Sequence, residues 1–237
     1  DNTLPIVPQV ALLPANTNEA VLAVTGTAEP GSTVKIYVND SLVSSGAASA
    51  EGNFTIPTTL FGGANQLKQT ATDAAGNTSA VSASQEVSYE TDAPIISNLA
   101  VSPNPAKAGT LVLTFEVSET LKANPLVSIN SETATFSRRF PTSTDLNYEY
   151  TYTVTPADQQ GAAVIAISVT DLANNLTTQQ ANNLLVIDTV APAISGVTAT
   201  PSPAKAGPVT ITFSVSEALK ANPLVKINSG TATFSRR

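Results

Sequence analysis

The stretch Ala106-Lys107-Ala108-Gly109-Thr110-Leu111-Val112-Leu113-Thr114-Phe115-Glu116-Val117 decides the fold. Leu111, Leu113, Phe115 and Val117 alternate with Val112, Thr114 and Glu116, the period-two pattern of a strand with one buried face. The surroundings of this strand also return later in the chain. Ala106-Lys107-Ala108-Gly109 recurs as Ala204-Lys205-Ala206-Gly207, Leu121-Lys122-Ala123-Asn124-Pro125-Leu126-Val127 as Leu219 to Val225, and Thr133 to Arg139 as Thr231 to Arg237. The offset is 98 residues without a gap, and about two-thirds of positions 93–139 are identical in 191–237. A period near 100 is too long for a solenoid repeat and suits a whole domain.

Working outward, Tyr148, Tyr150, Tyr152 and Val154 alternate with Glu149, Thr151 and Thr153, and Ala163, Ile165, Ile167 and Val169 form a third such run. Pro103-Asn104-Pro105 and Asn174-Asn175 mark turns. No segment sustains a helical period. About seven short strands per repeat, with turn signals every 8–12 residues, predict an immunoglobulin-like β-sandwich. The chain reads as all-β, a tandem array of such domains. It lacks both Cys and Trp, so the prediction rests on pattern and not on the Cys-Trp-Cys signature of antibody domains.

Composition narrows the function classes. Apolar residues make up 42%, enough to build cores, while charged residues are 12%, about half the usual share. The net charge of −7 argues against nucleic acid and anionic membranes as partners, since both select basic patches. Without Cys there is no disulfide or thiolate site. Without His the commonest general base and transition-metal ligand is missing. No apolar run approaches a membrane span. The chain opens without the features of a signal peptide, which fits a processed protein or an internal fragment.

Three junctions set the phase: Asp1-Asn2-Thr3-Leu4-Pro5, Asp92-Ala93-Pro94 and Asp188-Thr189-Val190-Ala191-Pro192. Each is an Asp followed shortly by Pro, which lacks an N–H and suits the entry to an edge strand. Domains are therefore expected at 1–91, 92–187 and 188–237, the last holding only the strands of the first half of a sandwich. Half a sandwich leaves a sheet face bare. Three accounts of it stay open: a cut after the dibasic Arg236-Arg237, a remainder outside this sequence, or completion by strands exchanged with other copies in a filament.

Thr25-Gly26-Thr27-Ala28-Glu29-Pro30-Gly31-Ser32-Thr33-Val34, followed by Thr70-Ala71-Thr72-Asp73-Ala74-Ala75-Gly76-Asn77, resembles the bacterial immunoglobulin-like repeats of giant surface adhesins. Ser118-Glu119-Thr120-Leu121 and Val169-Thr170-Asp171-Leu172-Ala173-Asn174-Asn175 are a related variant. Asn174 stands where the family usually has Gly, which puts the geometry of that turn in question. The resemblance implies an extracellular stalk at the cell surface, often stiffened by calcium at domain junctions.

A topological argument reaches calcium independently. If strand A starts at a domain's N-terminal pole, strands B and F both end there. The linker Asp, the Glu after B and the Asp after F should then converge. These are Asp1, Glu29 and Asp73 in the first domain, Asp92, Glu119 and Asp171 in the second, and Asp188 and Glu217 in the third. Converging carboxylates repel unless neutralised, and Ca²⁺ accepts six to eight oxygens from carboxylates, carbonyls and amides. Asn77 and Asn175 would add amide oxygens. Zinc is disfavoured without His or Cys. An Asp in a turn can also simply hydrogen-bond its own backbone; recurrence of the acids in register favours the ion.

Other candidates are weaker. Arg138-Arg139, repeated as Arg236-Arg237, could grip an acidic partner or a sugar but reads better as solvated. Tyr148, Tyr150 and Tyr152 could form a carbohydrate platform, though three tyrosines on one strand face read better as core. Asn39, Asn53, Asn77 and Asn175 open N-glycosylation patterns that a Thr- and Asn-rich chain produces by chance. Asp145 and Glu149 could be posed as a glycosidase pair, but nothing places them in a pocket. The expected function is therefore non-catalytic: a spacer of a cell-surface adhesin or filament, contacting neighbouring repeats and leaving the cell-surface ligand to other parts. The alternative is a carbohydrate- or protein-binding module, against which the 5% aromatic content counts.

Overall fold

The computed structural model describes residues 2–139, 145–228 and 230–233, and among them the strand is the one regular element. The first sandwich comprises β1 (Gln9–Val10), β2 (Asn16–Thr17), β3 (Val21–Thr27), β4 (Thr33–Val38), β5 (Ser41–Ala47), β6 (Asn53–Thr59), β7 (Gly63–Thr72) and β8 (Gln85–Tyr89). One sheet has the order β1-β3-β6, the other β2-β8-β7-β4-β5. The entering segment is split between them: β1 pairs antiparallel with β3 and β2 pairs parallel with β8. Alternation turns Val34, Ile36 and Val38 inward against Phe54, Ile56, Leu67 and Val87. Gly26 is required where β1 crosses β3, because a Cβ there would lie 2.2 Å from the Gln9 carbonyl oxygen.

The second sandwich comprises β9 (Ile96–Ser102), β10 (Gly109–Val117), β11 (Leu126–Ile129), β12 (Glu132–Thr133), β13 (Thr135–Arg139), β14 (Asn147–Val154), β15 (Gly161–Thr170) and β16 (Leu176–Ile187). Its sheets run β13-β14-β10-β9 and β12-β11-β15-β16. The three alternating runs of the sequence are β10, β14 and β15, and their inward residues form one core. Phe115 stacks on Tyr148 at 5.6 Å and on Tyr150 at 5.9 Å, and Phe136 meets Tyr150 edge-on at 5.5 Å. Such pairs add about 0.5–1.5 kcal/mol each beyond the apolar area they bury.

That core accounts for the tyrosines and arginines. Tyr148 and Tyr150 are fully buried and so form no sugar platform. Tyr152, half-buried at the strand's far end, donates its hydroxyl to Asp158. The Tyr150 hydroxyl donates to the Pro125 carbonyl. The Tyr148 hydroxyl makes no hydrogen bond of normal geometry. Arg139 lies over the Tyr148 ring, its guanidinium carbon 5.0 Å from the centroid, and closes the core at the β13 edge. Arg138 pairs with Glu149 at 3.0 Å on the surface. Arg236 and Arg237 lie outside the described residues.

Beyond the second sandwich, β17 (Ile194–Thr200) pairs with β18 (Thr210–Val215), and β19 (Lys226–Ile227) with β20 (Gly230–Thr231). Every residue of β17 is exposed. Phe213, the repeat partner of the buried Phe115, is only half-buried. The described residues place no second sheet over this face.

Strand direction positions the candidate site. β9 and β10 are antiparallel with Ile96 opposite Val117, and β11 pairs with β15 with Leu126 opposite Ser168. The start of β9 and the ends of β10 and β15 therefore share one pole. A bridge between Leu121 and Asp171 ties the loop after β10 to the end of β15. The first sandwich delivers its last strand, β8, to the same place.

Candidate metal centre

Asp171 begins the turn after β15. Its Oδ1 accepts from the Asn175 backbone N–H at 2.7 Å and its Oδ2 from the Asn175 amide at 2.8 Å. This is an Asx-type clasp, in which a short side chain replaces the ladder that the ending strand loses. Asp73 and Asn77 form the same clasp after β7, with both distances 2.8 Å. The Asn77 amide, opposed by partial burial, holds the Asp73 carboxyl below the usual carboxylate range. Gly76 has φ 92° in the first turn and Asn174 has φ 77° in the second. The turn is thus kept despite the missing glycine, because Asn tolerates the left-handed region. Lys122 donates to the exposed Asn174 side chain at 2.6 Å.

Glu119 follows β10 at the same pole and is half-buried. Glu90 follows β8 and comes from the first sandwich. One carboxylate oxygen from each of Glu90, Glu119 and Asp171 lies within 4.8 Å of the other two. Burial raises the Glu119 pKa, and the charges of Glu90, Asp171 and Asp92 raise it further. Three acids from both sides of the linker therefore act on one half-buried group. Asp171 itself is 1% exposed. The spacing suits a large hard cation: oxygens on opposite sides of Ca²⁺, about 2.4 Å from it, are about 4.8 Å apart.

Glu119 and Asp171 meet at one pole, with Asp92 close enough for its charge to act on Glu119 but outside the three-carboxylate group, whose third member is Glu90, which the sequence reading missed. The signal that could have found it is the 98-residue register. Glu90 aligns with Asp188, whereas Asp92 aligns with Val190. Asp188 therefore corresponds to Glu90 and not to Asp92, a correction to the shared role the linker acids were given. Asn175 also differs from expectation. Its amide oxygen, the atom that would ligate a cation, accepts instead from Asn18 at 3.2 Å, and its nitrogen faces Asp171 and the linker. Three acceptors surround that nitrogen, so the amide cannot turn its oxygen inward.

The other poles are less complete. Asp1 lies outside the described residues. Glu29 and Asp73 join no group of three carboxylates among the described residues. After the second sandwich, the Asp188 backbone N–H donates to Ala106 and its Oδ1 accepts from Val190. One carboxylate oxygen of Glu217 is buried without a hydrogen-bond partner. Among the described residues no third acid joins them.

Residues 8–86 match the family model of the bacterial Ig domain. This part of the chain is a bacterial Ig domain. The match includes Glu29, Asp73 and Asn77 and ends just before Glu90. The sandwich that follows the bacterial Ig domain shares its clasp turn, as Asp171 and Asn175 repeat Asp73 and Asn77. No curated protein matches the chain. Among solved structures, the chain is similar to a 1.5-MDa bacterial ice-binding adhesin studied for host cell surface retention, at 18% identity and TM-score 0.40, covering 77% of this chain and 64% of that one. It is also similar to a marsupial T cell receptor, at 9% identity and TM-score 0.48, covering 82% and 76%. The tandem Ig repeats of Dlar match at 10% identity and TM-score 0.27, covering 78% and 99%. The chain thus spans under two-thirds of the adhesin structure, and none of these likenesses bears on function.

Proposed function

We propose that this chain is a spacer segment of a bacterial cell-surface adhesin or filament, stiffened by Ca²⁺ held between its first two sandwiches. Glu90, Glu119 and Asp171 would supply carboxylate oxygens, with Asp92 at the rim and loop carbonyls completing the shell. The observation that carries this reading is that the clustered acids belong to both sides of one linker, since Glu90 ends the first sandwich and Glu119 and Asp171 belong to the second. Two domains on a short linker flex by default. An ion bound from both sides would convert electrostatic repulsion between the two sandwiches into attraction and strengthen whatever else holds the junction, so its effect is mechanical. The bacterial Ig family of residues 8–86 and the net charge of −7 accord with a segment that needs no basic or catalytic surface.

The test is the melting temperature of the full chain with millimolar calcium and with chelator, repeated on Glu119→Gln. The expected result is a higher melting temperature for wild type in calcium, with a smaller gain in the variant. Identical melting of wild type in calcium and chelator would sink the ion and leave only the spacer.

A further inference from the structure

We infer that the buried amide of Asn175 is a metal-independent latch between the first two sandwiches. The inference rests on the reading of this junction as a stiff connection, but not on the ion. Asn175 is 9% exposed and sits in the clasp turn after β15. Its Nδ2 donates to Asp171 Oδ2 at 2.8 Å, to the Glu90 carbonyl at 3.1 Å and to the Asp92 carbonyl at 3.2 Å. Two N–H bonds thus serve three acceptors, one hydrogen being shared. Its Oδ1 accepts from the Asn18 side chain, in the loop between β2 and β3 of the first sandwich. One side chain therefore touches its own turn, both linker carbonyls and the neighbouring sandwich.

The linker is held from the other side as well. The Glu90 backbone N–H donates to the Thr17 carbonyl of β2 at 3.0 Å. Its N–H is thus tied to the first sandwich and its carbonyl to the second through Asn175. At the far end, Ile95 and Ser118 exchange two hydrogen bonds, 2.9 and 3.0 Å, which fix the entry to β9. A stretch of six residues from Glu90 to Ile95 thus has backbone anchors at both ends and in the middle. Each bond is modest alone, but the amide is buried, and removing it leaves two linker carbonyls and Asn18 without that partner. Asn175 also orients Asp171, so it is a positioning residue for the acid cluster and not one of its ligands.

The experiment measures residual dipolar couplings on the full chain in chelator, fitting the first and second sandwiches separately. Wild type is expected to give one shared alignment tensor. Asn175→Ala and Asn18→Ala are each expected to split it into two tensors of unequal size. Asn77→Ala removes the equivalent clasp within the first sandwich and is expected to leave the tensor shared. Asn18→Ala keeps the proposal testable should Asn175→Ala unfold the turn. Asn175→Asp separates latch from ligand. As a ligand site, the added carboxylate would tighten calcium binding and keep the tensor shared in chelator; as a latch, it loses its donor and splits the tensor. Two tensors in wild type, or a shared tensor in both Asn18→Ala and Asn175→Ala, overturns the latch. The ion is read separately: calcium that shifts no backbone resonance of Glu90, Glu119 or Asp171 removes the metal and leaves the latch standing.

Discussion

Replacing Glu119 by Gln should have opposite effects with and without calcium. In chelator, one carboxylate oxygen each of Glu119 and Asp171 of one sandwich lie within 4.8 Å of each other, and one of Glu90 lies within the same distance of both. Two unit charges at that distance repel by about 1 kcal/mol in water and about 3.5 kcal/mol at an effective dielectric of 20. Glu90 belongs to the other sandwich and bears on the junction more than on the folding of the second sandwich, so the Glu119–Asp171 pair sets the effect on folding. Glu119→Gln should then stabilise the second sandwich by about 1–3 kcal/mol in chelator, a rise of about 4–8 °C in Tm per kcal/mol for a domain of this size. In calcium the order reverses. A ligand at 100 times its Kd stabilises by about 2.7 kcal/mol, and the variant loses one carboxylate of the site.

Scanning calorimetry in chelator and in millimolar calcium reads both arms on one sample. The pH dependence supplies a further check. The raised Glu119 pKa means that the folded state holds this proton more tightly than the unfolded chain. Stability is therefore lost as pH rises from the ordinary glutamate value of about 4.3 through the folded one. Wild type in chelator should gain stability as pH falls from neutrality toward that value, and Glu119→Gln should lack this component. If the variant melts at or below wild type in chelator, or gains as much from calcium, the charge argument is wrong.

Three further outcomes follow from the packing. Tyr150→Phe should cost about 1–3 kcal/mol, because it strands the Pro125 carbonyl, whereas Tyr148→Phe should cost less, because Arg139 alone acts on its hydroxyl and no backbone carbonyl is stranded; urea unfolding that ranks them the other way refutes the assignment. Gly26→Ala should cost about 1–3 kcal/mol and speed amide exchange at Ala11, which donates to Thr25 beside the crossing of β1 and β3; unchanged exchange would mean that β1 does not lie so close. Asn77→Ala should raise the Asp73 pKa toward its ordinary value, seen by NMR titration, since the Asn77 amide is the main cause of its lowering. With that clasp intact, the contribution of Asp73 to stability is present above its unfolded pKa and is lost as pH falls through the lower folded one.

Much of the architecture is legible in the chain because β-sandwiches write themselves at short range. Leu111, Leu113, Phe115 and Val117 alternate in sequence and point the same way in β10, since successive residues of a strand face opposite sides. The 98-residue repeat carries the register of a whole domain, including the alignment of Glu90 with Asp188. The pole where Glu119 and Asp171 meet follows from antiparallel strand direction alone. Tyr148 and Tyr150 could be assigned to the core from spacing, although sequence could not say that the Tyr150 hydroxyl finds a backbone carbonyl and that of Tyr148 does not.

The junction was decided by tertiary structure. Glu90 enters the acid cluster only because the last strand of one sandwich ends against the first pole of the next, a contact between elements about 30 and 80 residues apart in the chain. Asn174 keeps the turn that a glycine would make because its left-handed backbone is tolerated and its side chain is held by Lys122. Asn175 shows the limit most clearly. In sequence it is an amide beside an acid, equally suited to ligating an ion or closing a turn. Which atom faces which neighbour depends on Asn18 and on two linker carbonyls more than 80 residues away, and only folding brings those groups within reach of a side chain that spans a few ångströms.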